Sequence, residues 1–366
     1  MEETVSMKKR VFAISAVALA SVAVLAGCRS NGAHGSSAAG KAKTDLKVAV
    51  ITDTGGINDR SFNQSAWEGL QAWGKENNLT KGSGFTYYQS NSASDYTTNF
   101  NTATSAGYKL QFGIGYSLEQ AIEQAANSNP NTDYTIIDSA PTKPIKNLAA
   151  ATFADEQSAY LAGVAAAKAT KTDKIGFIGG MQGDVITAFQ VGFQQGVASV
   201  NPKIKVDVQY AQSFTDAAKG KTIAHAMYGA GEDVVYQCAG GVGTGAFNEA
   251  KAQNQSRTEA DKVWLIGVDQ DQKYLGNYTS KDGKKSNFVL VSTIKEVGKV
   301  VRDISDKTKD NKFPGGTITN YDLSNGGVDL GLDNVTPAIK SAVEQAKADI
   351  ISGKIKVSAT SFTQPQ

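Results

Sequence analysis

Polar and aromatic residues gather at the ends of short apolar runs throughout this sequence. Thr52, Asp53, Asn58 and Asp59 follow the first run, Gly115 and Tyr116 the third, and Asp138 the fourth. Gly179, Gly180 and Met181 follow the sixth, Gly240 and Gly241 the eighth, and Asp269 and Asp271 the ninth. Singly, each could be a cap or a turn residue. Together they suit one site. An ionised aspartate accepts two hydroxyl hydrogens in fixed geometry, and an aromatic face suits a flat ring. The combination points to a polar ring compound as ligand.

The elements that would position these residues alternate. Strands are expected at Lys47–Thr52, Phe85–Gln89, Gln111–Gly115, Tyr134–Asp138, Ala149–Phe153, Lys174–Gly179, Lys205–Tyr210, Asp233–Cys238, Val263–Val268 and Phe288–Thr293. Between them, helical spacing covers Phe62–Asn77, Tyr96–Ala106, Leu118–Ala126, Glu156–Ala169, Val185–Val200, Ala217–Tyr228, Gly245–Gln255, Lys295–Lys307 and Pro337–Ser352. Sustained strand–helix alternation predicts an α/β protein with parallel sheets flanked by helices. So many strands divide more naturally into two lobes than into one open sheet. Ligands of such sheets bind beyond the carboxyl ends of the strands. In the first helix, Phe62, Ala66, Leu70 and Trp73 share a face, and Ser61 with Gln64 has the spacing of a capping box.

The chain has 366 residues, 40% hydrophobic and 20% charged, enough for a large core and for two domains. Its net charge of +2 gives no reason to expect nucleic acid as a partner. Lys8, Lys9 and Arg10 precede an uncharged run, Val11 to Ala26, which fits a secretory leader. Leu25-Ala26-Gly27-Cys28 resembles the bacterial lipobox. That resemblance implies a signal peptide over 1–27, a lipid anchor on Cys28 and a place on the extracytoplasmic face of the cell membrane. Residues 28–44 are rich in Gly, Ser, Ala and Lys and read as a flexible tether. Cys238, the other cysteine, ends an apolar run and reads as a buried, inert thiol. His34 and His225 are too far apart in sequence to suggest a metal centre, and no cofactor is expected.

Several blocks identify a family. Val48 to Gly69 reads Val-Ala-Val-Ile-Thr-Asp-Thr-Gly-Gly-Ile-Asn-Asp-Arg-Ser-Phe-Asn-Gln-Ser-Ala-Trp-Glu-Gly. Glu156–Gly163, Lys174–Met181, Gln212–Lys221 and Gly267–Gln272 follow in order. These resemble the basic membrane protein family, the PnrA-like lipoproteins, across essentially everything after the tether. The resemblance implies a two-lobed periplasmic-binding-protein fold of type I with three hinge crossovers. One lobe would hold 45–150 with about 272–325, the other 151–271 with about 326–366. It implies a monomeric, non-enzymatic receptor that binds purine nucleosides and delivers them to an ABC permease. Phe62 would stack on the base, and Asn63 and Asp53 would bond or position base edges. Asp269 or Asp271 would hold the ribose hydroxyls, joined by Lys295. Phe214, with Tyr236 behind it, would close the aromatic sandwich. Gly115, Tyr116, Asp138 and Gly241 complete the expected site.

Two other classes compete. Gly241-Val-Gly243-Thr-Gly-Ala246 matches a dinucleotide-binding pattern, with Asp261 downstream, but lies deep in the chain. A ribose- or galactose-type sugar receptor shares the expected fold and the strand-end carboxylates, and differs in needing no base pocket.

Overall fold

The apolar runs become strands buried on both faces, as in Val48–Ile51, where no residue is exposed; parallel sheets covered by helices require this. The structure, a computed structural model, describes residues 41–332 and 334–364, all within the compact unit Gly40–Gln366. The leader, Cys28 and the tether up to residue 40 lie outside the described residues. The tether's end is fixed to the fold: Lys43 N donates to Asn77 O at 2.9 Å, and Asn78 Nδ2 to Lys41 O at 3.2 Å.

The first half contributes β1 (Val48–Thr52), α1 (Phe62–Glu76), β2 (Phe85–Tyr88), α2 (Asp95–Ser105), β3 (Leu110–Ile114), α3 (Glu119–Ser128), β4 (Asp133–Ile137) and β5 (Leu148–Phe153). The chain then crosses to α4 (Asp155–Ala169), β6 (Lys174–Gly179), α5 (Asp184–Val200), β7 (Lys205–Tyr210), α6 (Ala217–Ala230), β8 (Val234–Cys238), α7 (Gly241–Gln255) and β9 (Trp264–Gly267). A small antiparallel hairpin, β10 (Asn277–Thr279) and β11 (Lys285–Asn287), precedes β12 (Val289–Lys295). After α8 (Val297–Lys309) come β13 (Ile318–Tyr321), β14 (Val328–Gly331) and α9 (Pro337–Ile351).

Among the described residues, two six-stranded sheets result, ordered β13-β5-β4-β3-β1-β2 and β14-β12-β9-β8-β6-β7. The first is parallel throughout; in the second only β14 runs antiparallel, against β12. The chain passes between the sheets three times: at Ala154, at Glu296, and through the turn 322–327. The crossings lie together, since Ala154 N donates to Tyr321 O at 2.8 Å and Glu296 N to Gly327 O at 3.0 Å.

The lobe boundaries differ from the expected ones. Residues 289–295, expected in the first lobe, belong to the second sheet, because β12 pairs with β9 through Val289–Leu265 and Ser292–Gly267. The first half therefore regains the chain at α8, whose Gly298 packs on Gly69 of α1 so closely that a Cβ on Gly69 would lie 2.3 Å from Gly298 O. The first crossing falls after Phe153, so β5 lies wholly in the first sheet.

Candidate functional site

Between the carboxyl ends of the two sheets lies a cavity of about 440 Å³, within the range of small-molecule sites. The first half supplies Asp53, Phe62, Asn63, Gly115, Tyr116 and Asp138 to its wall; the second supplies Phe214, Gly241, Asp269 and Lys295. Asp271 lies outside this wall. It is exposed, and its Oδ1 accepts Lys273 N at 2.9 Å to start a 3-10 turn. Of the two aspartates in Val-Asp-Gln-Asp, only Asp269 faces the cavity. Tyr236 is also elsewhere. It is fully buried in the core beneath β8, with its hydroxyl 2.8 Å from Thr293 Oγ1 and its ring against Phe177 and Phe193.

The loop after β1 builds an acidic corner. Asp53 Oδ1 accepts Gly55 N and Asn63 Nδ2, both at 2.8 Å. Asn63 Nδ2 also donates to Asp59 Oδ2 at 2.9 Å, so one amide group ties two carboxylates together. The expected capping box is absent. Asp59 caps α1 instead, its carboxylate accepting Ser61 N at 2.9 Å, Asn63 N at 2.9 Å and Gln64 N at 3.1 Å. A negative charge there also meets the positive end of the helix dipole. The Ser61 hydroxyl, freed from capping, donates to the Asp269 carboxylate on the other half. Burial pushes Asp53 up to about 6, against the bonds from Gly55 and Asn63. Burial likewise raises Asp59.

A second corner centres on Lys295, the last residue of β12. Its ammonium lies 2.6 Å from Asp138 Oδ2 and 3.0 Å from Asp155 Oδ2, and all three side chains are buried. The rings of Phe62, Phe153 and Phe189 surround it at 5.2, 4.9 and 5.5 Å from their centroids. Burial works against the lysine's charge, but Asp138, Asp155 and Asp269 outweigh it and hold the group above its ordinary value. Burial raises both Asp138 and Asp155 although Lys295 pulls them down, Asp155 the further. Asp269 is pushed up to about 6 by burial, opposed by Lys295 and Ser61. One cation among three carboxylates keeps its proton; the carboxylates compete for its charge. Asp138 and Asp269 both sit in the left-handed region, at φ 64° and 67°, where each strand turns sharply as it leaves its sheet.

Aromatic and apolar residues form the remaining wall. Phe62 is half-buried at the start of α1. The ring of Phe214 lies so close over Gly180 that a Cβ there would meet its Cε1 at 2.3 Å. Val185, Ile186 and Phe189, on one face at the start of α5, line the cavity, as do Tyr96, Ser117 and Gln212. The sequence reading missed these. The spacing of Val185, Ile186 and Phe189 after a strand end was a usable signal. Asp155 had no such signal, since an acidic first helical residue reads as a cap. Within the dinucleotide-like segment, Gly245 serves close helix packing, since a Cβ there would lie 1.8 Å from Ala217 O of α6, and Gly243 packs against the Gln237 side chain of β8, where a Cβ would lie 2.1 Å from its Oε1. Cys238 lines the cavity as well, and burial raises its thiol well above the ordinary value.

A family model described as ABC transporter substrate-binding protein PnrA-like matches residues 46–361. The ABC transporter nucleoside-binding protein BmpA of Lactococcus lactis is 72% identical over 96% of this chain and 99% of its own. The CD4+ T-cell-stimulating antigen of Listeria monocytogenes is 44% identical over 96% of this chain and 99% of its own. Basic membrane protein A of Borreliella burgdorferi is 34% identical over 84% and 85%. Among solved structures, a solute-binding protein of an ABC transporter system from Aeropyrum pernix superposes with TM-score 0.74 at 24% identity, covering 88% of this chain and 94% of its own. A periplasmic ribose ABC transporter protein from Conexibacter woesei gives 0.55 at 14% identity, covering 84% and 99%. At such identities the likeness concerns the fold alone, which is that of the periplasmic binding proteins.

Proposed function

The chain belongs to the PnrA-like family of ABC transporter substrate-binding proteins, and from that premise we propose that its cavity takes nucleosides, purine nucleosides in particular. One observation carries the reading: a single cavity combines aromatic faces with carboxylates and a lysine drawn from both sheets. A free sugar needs the polar groups but not the base-sized aromatic wall. The 72% identical relative named as nucleoside-binding supports the same ligand class.

In this reading the base stacks on Phe62, with Phe214 opposite it. Asp53 accepts an N–H of the base edge through its Oδ2, because its Oδ1 is committed to Gly55 and Asn63. Asn63 positions that carboxylate, since its amide hydrogens point at Asp53 and Asp59. Asp138 and Asp269 accept ribose hydroxyls, and Lys295 fixes the charge between them. The halves hinge about the three crossings, and closure excludes water, strengthening each charge-assisted bond. The protein then delivers its ligand to an ABC permease, held on the extracytoplasmic face by a lipid on Cys28.

Thermal unfolding of the chain from Ser30 tests this, with inosine, guanosine, adenosine, uridine, free bases and ribose in parallel. A ligand at about a thousand times its dissociation constant stabilises by about 4 kcal/mol. A shift with purine nucleosides but not ribose is expected. An equal shift with ribose moves the protein to the sugar receptors and overturns the proposal.

A further inference from the structure

Beyond the walls of the cavity, its two halves are bonded directly to each other. The loop ending at Phe62 belongs to the first half, and the segment Val268–Gln272 to the second. Three side-chain bonds join them. The Ser61 hydroxyl donates to the Asp269 carboxylate. Gln270 Nε2 donates to Ser61 O at 2.7 Å, and Gln272 Nε2 to Arg60 O at 2.8 Å.

Gln272 is built for this contact. It is buried, its Oε1 accepts Val268 N at 2.9 Å and Gln237 Nε2 at 3.0 Å, and its backbone N donates to Ser292 Oγ at 3.1 Å. The second half thus fixes the amide from one side and leaves its donor aimed at a carbonyl of the first. Gly267 makes room for it: a Cβ there would stand 2.8 Å from Gln272 Oε1. On the opposite side, Arg60 adopts φ 59°, a left-handed turn that sets the direction of the loop carrying its carbonyl. None of these three bonds passes through a ligand.

We infer that Ser61, Gln270 and Gln272 form an interlobe latch that closes the cleft in the absence of ligand and sets Phe62 against Asp269. The ligand must then enter while the latch is open, so the closed fraction slows association. The same bonds slow escape once the ligand is inside. Weakening the latch therefore speeds both association and dissociation, whereas loss of an ordinary ligand contact changes mainly dissociation.

The test uses the chain from Ser30, which keeps the whole compact unit Gly40–Gln366, with one spin label on an exposed position of each half. The variants are Gln270→Ala and Ser61→Ala with Gln270→Ala; Gln272 is left in place because it also holds Val268 and Gln237. Ligand-free parent protein is expected to show a short-distance population. The double variant loses it without ligand and regains it with saturating inosine. Inosine association and dissociation both quicken, dissociation on the order of tenfold for two lost bonds, and Ser61→Thr with Gln270 intact behaves as the parent. Identical ligand-free distance distributions in parent and double variant overturn the latch. The kinetic arm rests on the nucleoside reading; the ligand-free distances do not. Failure of inosine to bind would sink that reading while the distances still decide the latch.

Discussion

Replacing Lys295 with methionine keeps the length of the side chain and removes its charge. The lysine is 3% exposed, as is Asp155, and Asp138 is 7% exposed, so water cannot take over the role of the ammonium. Removing one partner of a buried ion pair costs about 3–5 kcal/mol, because the remaining charge is left uncompensated. The sign of the pH dependence follows from the carboxyls. Asp138, Asp155 and Asp269 already bind protons more tightly in the folded state than their ordinary values, Asp269 up to about 6, and without the lysine they move higher. A carboxyl raised on folding supports the fold below its unfolded pKa, and that support is lost as pH rises through the folded value. Lys295 is raised only by these carboxylates, against its own burial, so its contribution is present while they are ionised and fades as they take up protons at low pH. The variant should therefore be nearly tolerated at about pH 4 and lose about 3–5 kcal/mol at about pH 7.5. Urea unfolding of ligand-free protein, followed by the buried Trp67 and Trp73, measures both. Asp155→Asn in the same background should recover part of the loss at neutral pH. A loss below about 1 kcal/mol at neutral pH, or the same loss at both pH values, would refute the account of one cation serving three buried carboxylates.

Other outcomes follow from the same geometry. Asp53→Asn should stabilise the ligand-free protein at neutral pH by at most about 3 kcal/mol, since moving a carboxyl from 3.8 to about 6 costs that much once it is ionised; the gain should vanish near pH 4, and nucleoside affinity should fall, by titration calorimetry. Phe62→Ala should weaken inosine binding by about ten- to a hundredfold, the usual range for one stacked base; an unchanged dissociation constant would remove Phe62 from the site. Asp271→Ala should leave that constant within about twofold, because its carboxylate is committed to a surface turn. Gly245→Ala should destabilise by about 1–3 kcal/mol despite the higher helix propensity of alanine, because the methyl has no room beside Ala217 O; a stabilised variant would show that α6 and α7 can separate.

Much of this protein was determined by the chain itself. Apolar runs with helices between them impose two covered parallel sheets, and the helix spanning Phe62–Glu76 follows from Phe62, Ala66, Leu70 and Trp73 sharing one face. The strand-end positions of Asp53, Asp138 and Asp269 were legible for the same reason, since period and punctuation are local properties. The short strands β10, β11 and β13 were not, because their residues are largely exposed or polar and acquire strand geometry only from their partners; nor was β14, whose apolar alternation of Val328 and Leu330 spans only four residues. Tertiary structure alone decided that β12 joins the second sheet, which places Lys295 at a crossing beside Asp138 and Asp155. It also decided between Asp269 and Asp271, two residues apart and chemically identical. One follows the strand into the cavity; the other caps a turn at the surface. The Ser61–Gln64 spacing predicted a local cap, yet Asp59 took that role and Ser61 bonded Asp269, 208 residues away in the chain. A local pattern shows which hydrogen-bond donors a segment carries. Which acceptor each one finds depends on what folding brings within about 3 Å, and that distance is fixed only when both sheets are packed.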